Sequence, residues 1–159
     1  MRLVIADTGP INYLILIGSI DILPRVYERV VLPAPVQAEL SSPFAPSPVQ
    51  RWIAAPPAWL EIAETPEIVL STGIHKGEAA AIALATLLQA DFLLMDDRKG
   101  MRVARQQGLR VTGTLGLLDL AADRGLIDFV QAITKLEQTT FRRPEALLEA
   151  LLKKHRRGE

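Results

Sequence analysis

Short apolar runs alternate with longer helical patterns along this chain. Residues 3–6 (Leu-Val-Ile-Ala) form a continuous apolar run, and residues 7–10 (Asp-Thr-Gly-Pro) follow it as a turn. Such a run predicts a buried strand, because the strands of a parallel sheet are covered on both faces. Further strands are predicted at residues 28–32, 92–95 and 109–112, with a weakly alternating edge strand at 59–63.

The segments between these runs predict helices. Residues 78–89 are rich in alanine and free of glycine and proline, and residues 99–107 are amphipathic and stop before Gly108. Other helices are predicted after Pro10, from Pro35, at 115–124 with Thr114 as the N-cap, and near 129–137 and 144–155. Strands that alternate with helices predict a three-layer α/β/α sandwich with a central, mainly parallel sheet of about four or five strands.

Length and composition fit one ordinary globular domain. The 159 residues are 49% hydrophobic and 23% charged, so we expect a single domain over residues 1–159. Roughly the last 15 residues are predicted to form a C-terminal helix and a basic tail. Seven of the eleven prolines lie between residues 33 and 57, and residues 41–48 are predicted to be a loop.

Cysteine content and net charge exclude several kinds of protein. The chain has no cysteine, which excludes disulfides, zinc fingers and thiol catalysis. Lys and Arg number 18 against 18 Asp and Glu, so any contact with nucleic acid must come from a local basic patch. We see no export signal and no membrane-spanning segment, and expect a cytoplasmic protein without a membrane partner.

Five carboxylates are predicted at one edge of the sheet. The carboxyl end of a parallel strand and the amino end of the next helix lie at the same edge, where open α/β sheets bind ligands. Asp7, Asp96 and Asp97 follow strands, whereas Glu39 and Glu78 lie early in helices. Each acid also has an ordinary interpretation, as a residue of a turn or of a first helical turn.

The grouping of these acids favours a metal site. Clustered carboxylates raise one another's pKa values unless a positive charge compensates them. With no cysteine and only two histidines in the chain, the ligands would be oxygens, which points to Mg²⁺ or Mn²⁺. Such a site is suited to the hydrolysis of phosphodiesters. His75, between Gly73 and Gly77, is interpreted as a loop residue, with a contact to a phosphate as the alternative.

A basic stripe follows the acidic pair. Arg98, Arg102 and Arg105 share one face of the predicted helix, and Lys99 lies beside them in sequence. These side chains are candidates for holding an RNA backbone through its phosphates. The alternative is an ordinary solvated helix face.

Four short segments contain the five acids. They are residues 5–11 (Ile-Ala-Asp-Thr-Gly-Pro-Ile), 31–40 (Val-Leu-Pro-Ala-Pro-Val-Gln-Ala-Glu-Leu), 76–85 (Lys-Gly-Glu-Ala-Ala-Ala-Ile-Ala-Leu-Ala) and 92–99 (Phe-Leu-Leu-Met-Asp-Asp-Arg-Lys). In this order they resemble the motifs of PIN domains, a nuclease fold of bacterial toxins and RNA-processing factors. Residues 111–116 (Val-Thr-Gly-Thr-Leu-Gly) are similar to the segment that closes the site in a prokaryotic PIN-like subgroup related to toxin–antitoxin nucleases.

The resemblance implies a metal-dependent endoribonuclease, the toxin of a toxin–antitoxin pair. It implies that Asp7, Glu78 and Asp96 bind Mg²⁺ or Mn²⁺, that Glu39 completes the acidic pocket, and that Asp97 is a further ligand or supports one. Many toxin relatives have Asp where this chain has Glu78. Thr8 and Thr114 would hold a ligand carboxylate or the attacking water, and both join Arg98, Lys99 and Arg102 as candidate substrate-binding residues. A homodimer and an antitoxin partner are also implied.

Two other functions remain open at this point. One is a catalytically silent PIN-like module that works as a dimer with a protein partner. The other is a receiver-type phospho-acceptor domain, which also places Asp and Thr at strand ends around Mg²⁺. A receiver has its acidic pair near the first strand, whereas here the pair comes late in the chain, at Asp96 and Asp97.

Overall fold

A parallel β-sheet forms the centre of the molecule. The computed structural model describes residues 2–65 and 73–157, and within them it has a sheet of five strands. The strands are β1 (Leu3–Ala6), β2 (Arg29–Pro33), β3 (Leu60–Ala63), β4 (Phe92–Leu94) and β5 (Val111–Thr112). Their order is β3-β2-β1-β4-β5 and every pairing is parallel, which confirms the predicted α/β/α class.

The first strand occupies the middle of the sheet. In β1, Ile5 is in register with Val31 of β2 on one side and with Leu93 of β4 on the other. All four residues of β1 are buried, as its uninterrupted apolar sequence predicted. The predicted edge strand is confirmed as β3, which pairs only with β2 within the described residues.

Helices cover both faces of the sheet. They are α1 (Thr8–Leu16), α2 (Leu23–Val26), α3 (Ala34–Leu40), α4 (Ser47–Ala54), α5 (Lys76–Leu87), α6 (Arg98–Gln106), α7 (Thr114–Asp123), α8 (Phe129–Leu136) and α9 (Glu145–Arg157), with a 3-10 turn at Ile20–Ile22. The side chains of β1 alternate between two apolar clusters, one on each face: Val4 and Ala6 join the larger, Leu3 and Ile5 the smaller. Helices α5 and α6 complete the smaller cluster, and most of the others the larger.

The proline-rich region contains a helix that the sequence interpretation missed. The predicted loop 41–48 ends early, because α4 begins at Ser47. Pro48 is compatible with a helix there, since the first turn does not need its missing N–H. Val49 and Ile53, four residues apart, are the buried residues that α4 contributes to the core. This spacing was the signal for the helix.

The basic C-terminal segment belongs to a helix. The sequence predicted a C-terminal helix followed by a basic tail; the helix is α9, which continues to Arg157, and its residues Lys154 and His155 dock onto α7. The His155 ring stacks on Phe129 at a centroid distance of 4.4 Å. These contacts hold the end of the chain against the domain, and the last two residues lie outside the described part. No helix in the described residues combines the length and apolar character needed to cross a bilayer.

Candidate metal centre

Two aspartates emerge from adjacent strands at the centre of the sheet. Asp7 follows β1 and Asp96 follows β4, and the Asp7 backbone N–H donates to the Leu94 carbonyl over 2.9 Å. From β1 the chain adds strands first on one side and then on the other, so the order reverses here. Such a reversal opens a crevice at the carboxyl ends of the strands.

The crevice is a cavity of about 220 Å³. It is lined by the residues Asp7, Thr8, Gly9, Glu39, His75, Glu78, Asp96 and Asp97. The five carboxylates that the sequence placed at one sheet edge therefore lie around one cavity. Their assignment as catalytic groups remains a prediction.

Asp7 is buried without a full set of hydrogen-bond partners. Its side chain is 5% exposed, and Oδ1 has no hydrogen-bond partner. Burial raises the pKa of Asp7 from 3.8 to about 7, against a lowering by the Thr8 backbone N–H. The charges of Glu78, Glu39 and Asp96 raise it further. Asp7 thus keeps a free oxygen that faces other acids.

Glu78 has a similar environment at the start of α5. Its Oε2 atom is buried and has no hydrogen-bond partner. Burial raises the pKa of Glu78, and the charge of Asp97 raises it again. The Glu78 side chain extends from the first turn of α5 to the cavity that Asp7 also lines.

Asp96 is held by the beginning of α7. The Thr114 backbone N–H donates to Asp96 Oδ1 over 2.8 Å, and the Thr114 hydroxyl donates to Oδ2 over 2.6 Å. Burial raises the pKa of Asp96 even though both hydrogen bonds lower it. Asp96 is thus oriented by the protein itself.

One expectation about Thr114 is corrected by this arrangement. Gly113, not Thr114, is the N-cap of α7, because the Thr114 side chain turns to Asp96 instead of capping its own helix. Thr114 is also fully buried, and its hydroxyl donates to Asp96. This contact fits a group that holds a ligand carboxylate, one of the roles that the resemblance implied, and the assignment of Thr114 as a substrate-binding residue remains a prediction.

Asp97 caps a helix at the rim of the cavity. Its Oδ2 atom accepts the Gly100 backbone N–H over 2.8 Å at the start of α6. Strand β4 ends at Leu94, so Asp96 and Asp97 do not alternate as strand residues would. Asp97 is exposed and lines the cavity with its capping carboxylate.

Glu39 joins two helices across the cavity. It accepts a hydrogen bond from the Thr8 hydroxyl and lies close to Gly77 at the start of α5. The Thr8 hydroxyl, predicted to bind substrate, is therefore engaged by Glu39 in this arrangement. Glu39 itself is exposed at the end of α3.

His75 is a cavity residue that the sequence interpretation set aside as a loop residue. It is the N-cap residue of α5, three positions before Glu78, and its exposed ring lines the cavity. The signal was its sequence distance from Glu78, which fits one helical turn. Gly73 and Gly77, each two positions away, had favoured the interpretation of His75 as a loop residue.

The basic stripe begins at the rim of the cavity. Arg98, Lys99 and Arg102 are exposed on α6, which starts directly after Asp97. The Lys99 ammonium lies 3.3 Å from where a Cβ on Gly73 would stand, so it reaches toward the segment before α5. The three basic residues stand beside the cavity rather than in its lining, and their contact with a substrate remains a prediction.

The donor set of the cavity fits a hard divalent cation. Asp7 Oδ1 and Glu78 Oε2 are the buried side-chain polar atoms without a partner in the described residues. Buried polar atoms are nearly always paired, so two such oxygens at one cavity require an explanation. A Mg²⁺ or Mn²⁺ ion takes carboxylate oxygens as ligands and compensates their charge.

A second group of metal-binding residue types is already partnered. Asp119, Asp123 and His155 each bring one donor atom to within 4.8 Å of the others. Lys154 donates to Asp119 over 2.8 Å and to Asp123 over 3.0 Å, and His155 Nε2 lies 2.8 Å from Asp119. This group therefore joins α9 to α7 as a network of ion pairs.

Comparisons with known proteins agree with the fold. The sequence model of a family described as PIN domain matches residues 3–157. The chain is similar in structure to a PilT N-terminus domain protein from the hyperthermophilic archaeon Sulfolobus solfataricus P2, with a TM-score of 0.52 and 14% identity over 90% of this chain and 100% of that one. No curated protein matches the sequence significantly.

The burial of Asp7 makes a prediction about stability. Because the folded pKa is near 7 and the ordinary value is 3.8, wild-type stability without metal should fall as the pH rises through this range. Asp7→Asn removes the buried charge, and we expect it to raise the free energy of unfolding by about 2–4 kcal/mol at pH 8 and by little at pH 4. Urea unfolding in a chelator measures this difference.

The matched control is Asp21→Asn, which changes an exposed carboxylate outside the cavity. It should leave the pH dependence of wild-type unfolding as it is. An Asp7→Asn profile parallel to that of the wild type would contradict the burial argument.

The hydrogen bonds from Thr114 generate a second prediction. Thr114→Val keeps the side-chain shape but leaves Asp96 Oδ2 without its donor, and we expect a loss of about 1–3 kcal/mol in stability. Mn²⁺ affinity should also fall, by about tenfold, because the carboxylate is no longer oriented. Thr114→Ser keeps the hydroxyl and should retain most of both properties. Equal losses for Ser and Val would contradict the assignment; urea unfolding and calorimetry provide the measurements.

Proposed function

Since the chain belongs to the PIN-domain family, whose members are generally nucleases, we propose that it is a metal-dependent endoribonuclease that hydrolyses RNA phosphodiesters. The observation that carries the proposal is the pair of buried, unpartnered oxygens of Asp7 and Glu78 at one cavity. Burying these oxygens without a partner costs the folded protein free energy, and a bound cation would offset that cost.

The ion is proposed to be Mg²⁺ or Mn²⁺, held by Asp7, Glu78 and Asp96. When bound, such an ion lowers the pKa of a water molecule and stabilises the leaving oxygen of a phosphodiester. The protein orients Asp96 through Thr114, whereas Asp7 and Glu78 each keep an oxygen free for the ion. Asp97 fixes the start of α6 through its capping bond to Gly100.

The RNA backbone is proposed to lie over the first turns of α6. Arg98, Lys99 and Arg102 are exposed there, next to the acidic rim. A chain with equal numbers of acidic and basic residues has no overall attraction for RNA, so local phosphate contacts would supply the affinity. His75 brings a further hydrogen-bonding group to the opening of the cavity.

The alternatives are less consistent with these observations. A catalytically silent dimeric module has no use for buried, unpartnered carboxylates, which cost stability. A receiver-like domain has the strand order 2-1-3-4-5 with its second strand at an edge. Here β2 is flanked by β1 and β3, and the acidic pair follows β4.

The proposed nuclease activity can be tested with purified protein and single-stranded RNA. Asp96→Asn should lower the rate of Mn²⁺-dependent cleavage by about 100-fold or more, because it removes one proposed ligand charge. The products should carry 5′-phosphates, and a chelator should abolish the wild-type activity. Asp123→Asn, an exposed carboxylate on α7, is the control that keeps the wild-type rate. Equal rates of cleavage by Asp96→Asn and the wild type would contradict the assignment of Asp96 to the active site.

We extend the proposal to a toxin role with an antitoxin partner and a homodimeric state. Its support is the resemblance of residues 111–116 to a subgroup related to toxin–antitoxin nucleases. Expression of the wild type alone should slow bacterial growth, and expression of Asp96→Asn at the same level should not. Identical growth of the two strains would contradict the toxin role without contradicting the nuclease activity. Sedimentation of the purified protein would test the homodimer.

A further inference from the structure

Gly77 is in unusually close contact with the carboxylate of Glu39. A Cβ built on Gly77 would stand 2.8 Å from both Glu39 Cδ and Glu39 Oε2, and closer still to Oε1. Real Cβ atoms essentially never stand closer than about 3.0 Å to another heavy atom, so a side chain at Gly77 would require the end of the Glu39 side chain to move. The Glu39 carboxylate therefore occupies the space that any side chain at Gly77 would need.

The backbone does not require glycine at this position. Gly77 is the second residue of α5, and among the described glycines positive φ angles occur at Gly18, Gly73, Gly108 and Gly125. Glycine in a helix is also less stable than alanine. Gly9, the second residue of α1, has room for a methyl group, since its nearest neighbour would be Asp96 Oδ2 at 3.9 Å. The close approach of Glu39 distinguishes Gly77 from Gly9, the glycine at the same position in α1.

Glu39 connects the two segments that carry the unpartnered carboxylates. Its side chain accepts the Thr8 hydroxyl at the start of α1 and rests on Gly77 at the start of α5. Asp7 directly precedes Thr8, and Glu78 directly follows Gly77. A shift of the Glu39 side chain would therefore remove a contact that lies next to both of these residues.

We propose that Gly77 is a positioning residue that, by having no side chain, seats Glu39 between the starts of α1 and α5 and so sets the spacing of Asp7 and Glu78. The inference rests on the proposed function only for the identity of the ion. The contact among Thr8, Glu39 and Gly77 is independent of any nuclease activity.

The experiment compares Gly77→Ala in two backgrounds, without metal and with Mn²⁺. In the wild-type background the added methyl displaces Glu39, so we expect the melting temperature of the metal-free protein to fall. Mn²⁺ affinity in calorimetry should fall by about tenfold, as it does when groups that orient ligands are lost. In a Glu39→Ala background the methyl has room, and Gly77→Ala should raise the melting temperature as an ordinary helix substitution.

Two further variants separate positioning from simple crowding. Glu39→Asp shortens the side chain by one methylene, so adding Gly77→Ala to it should change Mn²⁺ affinity by less than about threefold, an effect that identifies coupling between the two sites. Glu39→Gln is the second variant, because it keeps the length of the side chain and removes its charge. Adding Gly77→Ala to Glu39→Gln should lower the melting temperature as it does in the wild-type background.

The outcomes are distinct from those of the nuclease assay. A Gly77→Ala protein that melts higher than the wild type and binds Mn²⁺ equally well would overturn the inference. Equal destabilisation in the wild-type and Glu39→Ala backgrounds would also overturn it, because the effect would not pass through Glu39. If the wild type binds no Mn²⁺, the proposed metal fails, and the two melting comparisons still decide whether Gly77 seats Glu39.

Discussion

The burial of carboxylates without partners is the constraint on which the site depends. Asp7 is 5% exposed and stands at the end of the central strand, where the apolar clusters of both sheet faces meet. Strand β1 is fixed between β2 and β4 by parallel pairing, so Asp7 cannot retreat into solvent without disrupting the middle of the sheet. The stability of the two apolar clusters offsets the cost of the charged cavity that they enclose.

The available hydrogen-bond donors are unevenly divided among the acids. Thr114 supplies two donors to Asp96, the Gly100 backbone N–H donates to Asp97, and the Thr8 hydroxyl donates to Glu39. Asp7 and Glu78 each retain an unpartnered oxygen. Asp96, Asp97 and Glu39 are held by side-chain or helix-start donors, whereas Asp7 and Glu78 each keep one buried oxygen that no donor in the described residues reaches. This division of roles distinguishes an arrangement suited to a cation from a set of ordinary turn and capping residues.

Local sequence patterns predicted the sheet and the edge at which the acids gather, because apolar strands and parallel topology are sufficient for both. They did not predict α4, since its prolines suggested a loop although Pro48 suits a first turn. They also assigned Thr114 to a cap, because a hydroxyl at a helix start usually bonds its own helix. The contacts of Thr114 with Asp96 and of Glu39 with Gly77 join segments distant in sequence, and only the assembled sheet brings them together.

Helix starts around the cavity reduce its negative charge but do not neutralise it. Helices α1, α5, α6 and α7 all begin beside the cavity, and each helix terminus stabilises a nearby anion by about 0.3–1 kcal/mol. The rise in the pKa of Asp7 from 3.8 to about 7 corresponds to about 4 kcal/mol in favour of the protonated form. That rise persists with the Thr8 backbone N–H already in place, so the protein's own dipoles are outweighed by burial and by neighbouring acids. A divalent ion carries the concentrated positive charge that this arrangement of helices lacks.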